Sequence, residues 1–219
     1  TADICTDSTC CQAYIGEEQA RSNWGADADE NESKIEAAVR DTDGQVILYN
    51  GQPILAAFHS SSAGVTANSG DVWVSTLPYL HSVESPEGED TVPNYYSVKE
   101  IPAAEFQQTF LAAYPEASFA GGPETWITGR VENASGRVES ICIGGITVEG
   151  TQVRSLFGLR SACFTAEAAA DRVTFRVTGF GHGVGMSQYG ANRLAQEGKS
   201  WQEILHWYYT GVTIAPYGG

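Results

Sequence analysis

A single histidine near the carboxyl end of the chain lies within a dense group of glycines. Gly179, Gly181, Gly183 and Gly185 surround His182. Glycine adopts backbone conformations that other residues avoid, and it lets the backbone approach a ligand closely. A histidine on such a segment is therefore a candidate for chemistry or for direct ligand contact. The alternative is a buried turn in which the imidazole hydrogen-bonds to the backbone.

The residues on either side of this segment predict a corner between a strand and a helix. Val173–Val177 has the pattern of a strand, and Met186–Gln196 has the pattern of a helix. Polar side chains and free backbone N–H groups can converge at such a corner. Tyr189 directly follows the glycines and is the aromatic residue that we predict to contact a ligand.

A second polar group follows a predicted strand in the first third of the chain. His59 ends that strand, and Ser60, Ser61 and Ser62 come directly after it. Serine hydroxyls both donate and accept hydrogen bonds, which suits them to the hydroxyl and acetamido groups of sugars. The group is therefore a candidate glycan contact. The alternative is a histidine satisfied by backbone groups at the end of a strand.

Three of the five cysteines, Cys5, Cys10 and Cys11, crowd into one short segment. Two thiolates at this spacing could bind zinc, which takes four nitrogen or sulfur ligands in structural sites. The remaining ligands would come from elsewhere, and His59 and His182 are candidates. A Cys5–Cys11 bridge, a Cys5–Cys10 bridge and free thiols stay open as alternatives.

The composition indicates a folded, strongly acidic protein. The 219 residues include 27 acidic and 12 basic side chains, for a net charge of −15. This balance argues against nucleic acid or an anionic membrane as a partner, because phosphate binding needs clustered lysine and arginine. An uncharged or weakly charged substrate such as a sugar polymer fits better.

The order of predicted elements favours an α+β fold with mixed, mostly antiparallel sheets and several short helices. We find no clear linker and predict one domain over residues 1–219. Two hairpins are predicted: Gln45–Tyr49 with Pro53–His59 across Asn50-Gly51, and Arg137–Ile143 with Ile146–Val148 across Gly144-Gly145. Helices are predicted from a capping box at Ser33, over 101–114, 152–157 and 187–197, and from a second capping box at Ser200.

The segment Gly179–Ala191, GFGHGVGMSQYGA, resembles the signature of the SpoIID/LytB family. Shorter segments resemble the same family in the same order: Cys5–Gly16, Ala57–Thr66, Pro78–Val83 and Gly158–Ser161. The family usually shows HSxSGG after the first histidine, and this chain has Ala63 in place of the first glycine. The resemblance spans nearly the whole chain.

The resemblance implies a lytic transglycosylase that cleaves peptide-free peptidoglycan and leaves 1,6-anhydro-muramic ends during engulfment in sporulation. It also leaves open a non-catalytic cell-wall module that stimulates an amidase. The substrate-binding residues it implies are His59, Ser60, Ser61, Arg160, His182, Ser187, Gln188 and Tyr189. Arg160 could pair with the lactyl carboxylate of muramic acid, as could Arg193, and the alternative for each is a surface ion pair.

Other features of the family are also expectations here. Some members carry zinc on cysteines and a histidine, which implies a structural zinc at Cys5 and Cys11. The general acid of the family is a glutamate in a segment before the cysteines, and no position here matches it. We therefore expect these residues to be the C-terminal bulk of a catalytic domain, which leaves open whether they cut glycan alone.

The resemblance implies that the protein is located in the bacterial envelope, outside the cytoplasmic membrane, and is anchored there by a preceding segment. It also implies other wall hydrolases or sporulation proteins as partners.

Overall fold

The computed structural model of the protein describes Thr6 and residues 13–217. Its internal contacts divide the chain into two compact units, residues 1–46 with 215–219 and residues 47–214. The prediction of a single domain over 1–219 stays a prediction. No helix of the described residues is long and apolar enough to cross a bilayer.

The described residues form six short α-helices and eleven short strands, and the strands between β1 and β10 come in runs of three or four. The helices are α1 (Glu17–Trp24), α2 (Ala28–Asp41), α3 (Ala103–Ala113), α4 (Gly150–Phe157), α5 (Gln188–Gln196) and α6 (Trp201–Tyr208). The strands are β1 (Gln45–Tyr49), β2 (Gln52–Pro53), β3 (Phe58–His59), β4 (Tyr96–Pro102), β5 (Ile127–Glu132), β6 (Val138–Ile143), β7 (Ile146–Glu149), β8 (Phe164–Ala168), β9 (Arg172–Thr178), β10 (Met186–Ser187) and β11 (Thr213–Pro216).

The predicted α+β class with mixed, mostly antiparallel sheets is confirmed. Strands β4, β9 and β8 form one antiparallel sheet in that order, and β5, β6 and β7 form another. Strands β1 and β2 form a hairpin, whereas β3 and β10 pair in parallel. The parallel pair is short, but it joins the two segments that carry the candidate site.

Two hydrophobic clusters hold residues 47–214 together. The larger one packs α3 and α4 with the sheets of β4–β9–β8 and β5–β6–β7, and the Phe106 and Phe157 rings stack 4.7 Å apart at its centre. The second cluster packs α5 and α6 against the segments around β3 and β10, and it buries Tyr208 and Tyr209 completely. Because burial of such large side chains is strongly stabilising, the second cluster provides a rigid support for the candidate site.

Both predicted hairpins are confirmed at their turns. Asn50 and Gly51 have φ values of 50° and 75°, and Gly144 and Gly145 have values of 56° and 82°. A two-residue turn of this kind needs positive φ at both positions, which asparagine and glycine accept most readily. The predicted strand Pro53–His59 is nevertheless wrong as one element, because only its ends pair, in β2 and β3.

The helix predictions are confirmed at some starts and wrong at others. Ser200 forms the predicted capping box with Glu203 at the start of α6. Ser33 does not begin a helix, because α2 begins five residues earlier at Ala28 and the Ser33 hydroxyl donates to the Asp29 carbonyl one turn back. The helix predicted from residue 101 begins at Ala103, since Ile101 and Pro102 pair with β9 in β4.

Candidate functional site

Two polar segments that are far apart in the sequence form one structure. We call residues 59–62 the serine segment and residues 179–187 the glycine segment. Phe58 and His59 pair in parallel with Met186 and Ser187. A further antiparallel bridge joins Ser61 to Phe180, and its two backbone hydrogen bonds measure 3.0 and 2.8 Å. The two motifs singled out from the sequence therefore lie side by side.

Glycine is required in this segment by the neighbouring protein atoms. Gly185 has a φ of +72°, and a Cβ on it would lie 2.1 Å from the Ala57 carbonyl oxygen. A Cβ on Gly183 would lie 2.1 Å from Nη1 of Arg137. Larger residues would therefore force the glycine segment away from the backbone just before the serine segment and from a buried guanidinium.

The two histidines of the site face each other across the Val184 peptide. His59 is only 4% exposed, and its Nδ1 lies 3.3 Å from the Val184 carbonyl oxygen. The Val184 N–H donates to Nδ1 of His182 at 3.1 Å. The two rings lie 5.7 Å apart, and the Trp73 ring lies 5.4 Å from that of His182. The result is a histidine pair with an indole beside its more accessible member.

The environment favours the neutral form of both imidazoles. Burial and, to a smaller extent, the positive charge of a protonated His182 together lower the pKa of His59 to about 4. Burial also lowers the pKa of His182, and the nearby Arg154 and Arg137 guanidiniums add to that effect. Because burial and nearby positive charges both penalise an imidazolium, the pair is neutral near pH 7.

The low pKa of His59 predicts a loss of stability in mild acid. The unfolded chain takes up the proton from its ordinary pKa of 6.5, whereas the folded chain resists it until about 4. The free energy of unfolding should therefore fall as the pH falls through this window, by about 3 kcal/mol in total. Urea unfolding measured at a series of pH values checks this.

His59→Gln should flatten that pH dependence, whatever it does to stability at neutral pH. The matched control is His206→Gln, because His206 is an exposed histidine on α6. It should keep the slope of the unmodified protein. A slope that is equally steep in the His59 variant would contradict the assignment of the proton to that ring.

A buried carboxylate, that of Glu87, joins the serine segment to the glycine segment. Glu87 is 5% exposed, and its Oε1 accepts hydrogen bonds from the Ser62 N–H and from the Ser187 hydroxyl, both at 2.6 Å. Burial alone would raise the pKa of Glu87, but hydrogen bonds from Ser187, Ser85 and Ser62 outweigh burial and lower it. Glu87 is therefore ionised and links the serine segment to the start of α5.

The same carboxylate is connected to the second hydrophobic cluster. The Ser85 hydroxyl lies 2.5 Å from the hydroxyl of the fully buried Tyr208. Gly190 leaves room for these groups, since a Cβ on it would lie 2.2 Å from both oxygens and 2.6 Å from Oε2 of Glu87. The polar network therefore runs from the site into α5 and α6.

The predicted site residues differ in how accessible the structure leaves them. His59, Ser61 and Ser187 are buried; Ser60, Arg160, His182 and Tyr189 are half-buried, and Gln188 is exposed. The Ser187 hydroxyl also caps α5 by accepting the Gly190 N–H at 3.2 Å. The Ser60 carbonyl accepts the Tyr189 N–H at 3.1 Å, so the backbones of these two residues are neighbours. Their role in ligand binding stays a prediction.

Four further residues of the site were not singled out from the sequence. Glu87 lies in a loop rich in proline, glycine and glutamate, where a solvated side chain is the usual expectation. Arg137, Arg154 and Trp73 all lie outside the motifs. No local pattern distinguishes a buried charge from an exposed one, so only the fold reveals them.

The predicted zinc ligands Cys5 and Cys11 lie outside the described residues. Within Thr6 and 13–217, no group of three or more histidine, cysteine, aspartate and glutamate side chains is arranged to hold a metal ion. Zinc at the cysteines stays a prediction.

The chain is similar to sporulation proteins and to a protein named amidase enhancer. A family model described as SpoIID, stage II sporulation protein, matches residues 1–49. The chain is 41% identical over 209 residues to stage II sporulation protein D of Bacillus subtilis (strain 168) and 38% identical over 209 residues to that of Bacillus amyloliquefaciens. Each match covers 95% of the chain and 59% of the relative. The chain is also 26% identical over 264 residues to the amidase enhancer of Bacillus subtilis, covering 99% of the chain and 36% of that relative.

Proposed function

We propose that this chain, which belongs to the stage II sporulation protein D family, binds peptide-free glycan strands of peptidoglycan for cleavage by lytic transglycosylation. The observation that carries the proposal is the pairing of the serine and glycine segments. It joins the backbones of Ser60 and Tyr189, with Gln188 next in sequence to Tyr189, and the same glycine segment carries His182 with Trp73 beside it. Hydroxyl, amide and aromatic groups in one place suit a sugar chain.

The accessible and the buried residues have different roles in this proposal. Gln188 and Tyr189 contact the glycan, and the half-buried Ser60 and His182 add hydrogen bonds. His59 and Ser187 are buried and hold the two segments in place through the Val184 carbonyl and Glu87. Such positioning keeps the sugar-binding groups rigid, which reduces the entropy lost on binding.

The reaction needs a carboxylic acid that protonates the glycosidic oxygen as the bond between C1 and that oxygen breaks. The C6 hydroxyl of the same sugar then attacks C1 to close the 1,6-anhydro ring, and its proton passes to the carboxylate that the acid has become. Glu87 does not suit this step, because its pKa is lowered and Oε1 already accepts two hydrogen bonds. We therefore propose that this chain binds and orients the glycan, and that Glu87 is not the proton donor. The substrate implies action outside the cytoplasmic membrane.

A direct assay tests binding and cleavage separately. The protein is incubated with peptide-free glycan strands, the products are analysed by mass spectrometry, and the protein is sedimented with insoluble glycan. Anhydro-muramic ends would support cleavage by this chain, and binding without them would support the binding role alone. If the protein neither binds nor cleaves the glycan, the proposal is refuted.

One substitution tests the assigned surface. Gln188→Ala should weaken glycan binding about fivefold, which corresponds to one hydrogen bond of about 1 kcal/mol. The side chain is exposed at the start of α5, so folding should be unaffected. The matched control is Gln202→Ala at the second position of α6, where the side chain is also exposed. Equal affinity of the two variants would place the glycan elsewhere.

A second candidate function is stimulation of a cell-wall amidase without cleavage of glycan. It is favoured by the similarity to a protein named amidase enhancer, which extends over 99% of the chain. If this function is the correct one, the chain should increase the rate of an amidase on intact walls, and it should release no anhydro-muramic ends. The mass-spectrometric assay therefore separates the two functions.

A further inference from the structure

A cavity of about 390 Å³ lies where α5 and α6 approach the loop that carries Glu87. We call it the Trp207 cavity. Its lining combines apolar side chains with two of opposite charge: Val65, Pro86, Leu194, Trp207, Glu197 and Lys199. Apolar walls with a few polar groups, at this volume, are typical of a site for a small ligand or for one unit of a polymer.

The indole of Trp207 is both accessible and fixed in place. It is 40% exposed, whereas the other four tryptophans of the chain are half-buried or buried. Its Nε1–H donates to the Glu84 carbonyl at 2.7 Å, and Nζ of Lys199 lies 5.6 Å from the centre of the ring. Because these two contacts already order the indole, stacking of a ligand on it costs little side-chain entropy.

One row of side chains on α5 leads from the proposed glycan-binding residues to this cavity. Tyr189, Arg193 and Glu197 follow one another at intervals of four residues, so they lie above one another on the helix surface. Nε of Arg193 donates to the Glu197 carboxylate at 3.0 Å, so the last two are in contact. At a rise of about 1.5 Å per residue the row spans about 12 Å. A strand of several linked sugars is long enough to contact both of its ends.

The loop that carries Glu87 connects the Trp207 cavity to the serine segment. The Ser85 N–H donates to the Gly64 carbonyl at 2.9 Å at the cavity, and Oε1 of Glu87 accepts the Ser62 N–H at 2.6 Å two residues further on. The cavity and the serine segment are therefore held at a fixed separation by one hydrogen-bonded loop. Fixed positions for two units of one chain reduce the entropy lost when that chain binds.

We propose that the Trp207 cavity is a second sugar-binding position, in which one sugar of the glycan strand stacks on Trp207 and hydrogen-bonds to Lys199 and Glu197. The inference rests on the proposed function and adds to it a preference for long strands over short ones. The CH groups of a sugar ring pack on the indole, Lys199 donates to hydroxyl or acetamido oxygens, and Glu197 accepts from hydroxyl groups. A second contact on the same strand strengthens the first, because it is made without a further loss of translational freedom.

The test compares two lengths of one ligand on the unmodified protein. A disaccharide and an octasaccharide of peptide-free glycan are titrated separately, and their dissociation constants are measured. We expect the octasaccharide to bind more than tenfold more tightly, because it alone reaches both positions. Equal affinity for the two ligands would overturn the second position and leave the proposed function intact. No binding of either ligand would overturn both.

Substitution of Trp207 assigns the gain in affinity to the cavity. Trp207→Ala should lower the affinity for the octasaccharide about tenfold and leave the affinity for the disaccharide unchanged. Gln188→Ala, in contrast, should weaken the binding of both ligands. The longer ligand can also bind in more registers, but this advantage is the same for every variant. The comparison among variants therefore isolates the contribution of the indole.

Two further variants separate stacking from a structural effect. Trp207→Phe loses the hydrogen bond to Glu84 but keeps an aromatic ring, so it should retain most of the affinity for the octasaccharide. Tyr96→Ala is the matched control, because Tyr96 is an exposed aromatic residue on β4, and it should keep both affinities. A Trp207→Ala variant that binds the octasaccharide as the unmodified protein does would overturn the assignment. So would a variant that loses affinity equally for both ligands.

Discussion

Replacing Glu87 with alanine is expected to lower the free energy of unfolding by about 4 kcal/mol. The Ser62 N–H and the Ser187 hydroxyl both donate to Oε1 at 2.6 Å, and both would lose a charged acceptor. Ser62 and Ser187 are buried, so water cannot easily replace the carboxylate. The substitution would also leave a void next to Tyr208, whose hydroxyl bonds to Ser85. Lost hydrogen bonds and lost packing therefore act in the same direction.

Urea unfolding at neutral pH measures this loss. Glu87→Gln keeps a carbonyl oxygen and the shape of the side chain, so we expect it to lose less than half as much stability as the alanine variant. Glu89→Ala is the matched control, since Glu89 is exposed two residues further along the same loop. It should be nearly neutral. Similar stabilities of the Glu87→Ala and Glu89→Ala variants would show that the buried carboxylate does not join the two segments.

The two segments of the site could be predicted from the sequence, but their pairing could not. Composition and spacing single out His59 with its serines and His182 with its glycines. They are joined by parallel pairing over two residues each, Phe58–His59 with Met186–Ser187. Pairing between residues so far apart in the chain has no local signature, because strand periodicity describes one strand and not its partner.

Local sequence patterns also could not predict which side chains are accessible to solvent. Ser61 and Ser187 have the same hydroxyl as Ser60, yet both are buried while Ser60 is half-exposed. Glu87 looks like a solvated loop residue in the sequence and is almost fully buried in the fold. These differences arise from tertiary packing of α5 and α6 on the loops, which sequence periodicity does not encode.

Turns were the most predictable part of the fold. Asn50-Gly51 and Gly144-Gly145 both adopt the positive φ values that their residue types favour. Ser33 shows where such reasoning fails, because a serine followed by a glutamate three residues later also fits the interior of a helix. There its hydroxyl bonds back to the Asp29 carbonyl instead of capping a new helix.

The glycine segment should be the least tolerant part of the chain, and Gly185→Ala should cost about 4 kcal/mol of stability. The new Cβ would lie 2.1 Å from the Ala57 carbonyl oxygen, so the two backbones must separate. That carbonyl accepts the Met186 N–H at 3.0 Å and the Tyr209 hydroxyl at 2.8 Å. Separation would weaken both bonds and the parallel pair beside them.

The Gly198→Ala variant is a control that measures the cost of backbone strain without a steric clash. Gly198 also has a positive φ, +91°, but a Cβ there meets no atom within 4 Å. Its substitution should cost only the strain of the left-handed conformation, about 1 kcal/mol. If the Gly185 variant loses about 3 kcal/mol more than the Gly198 variant in urea unfolding, the close approach of the glycine segment to the Ala57 backbone accounts for the excess. Equal losses would mean that the segments can move apart at little cost, and the rigid site on which glycan binding is proposed to depend would lose its physical basis.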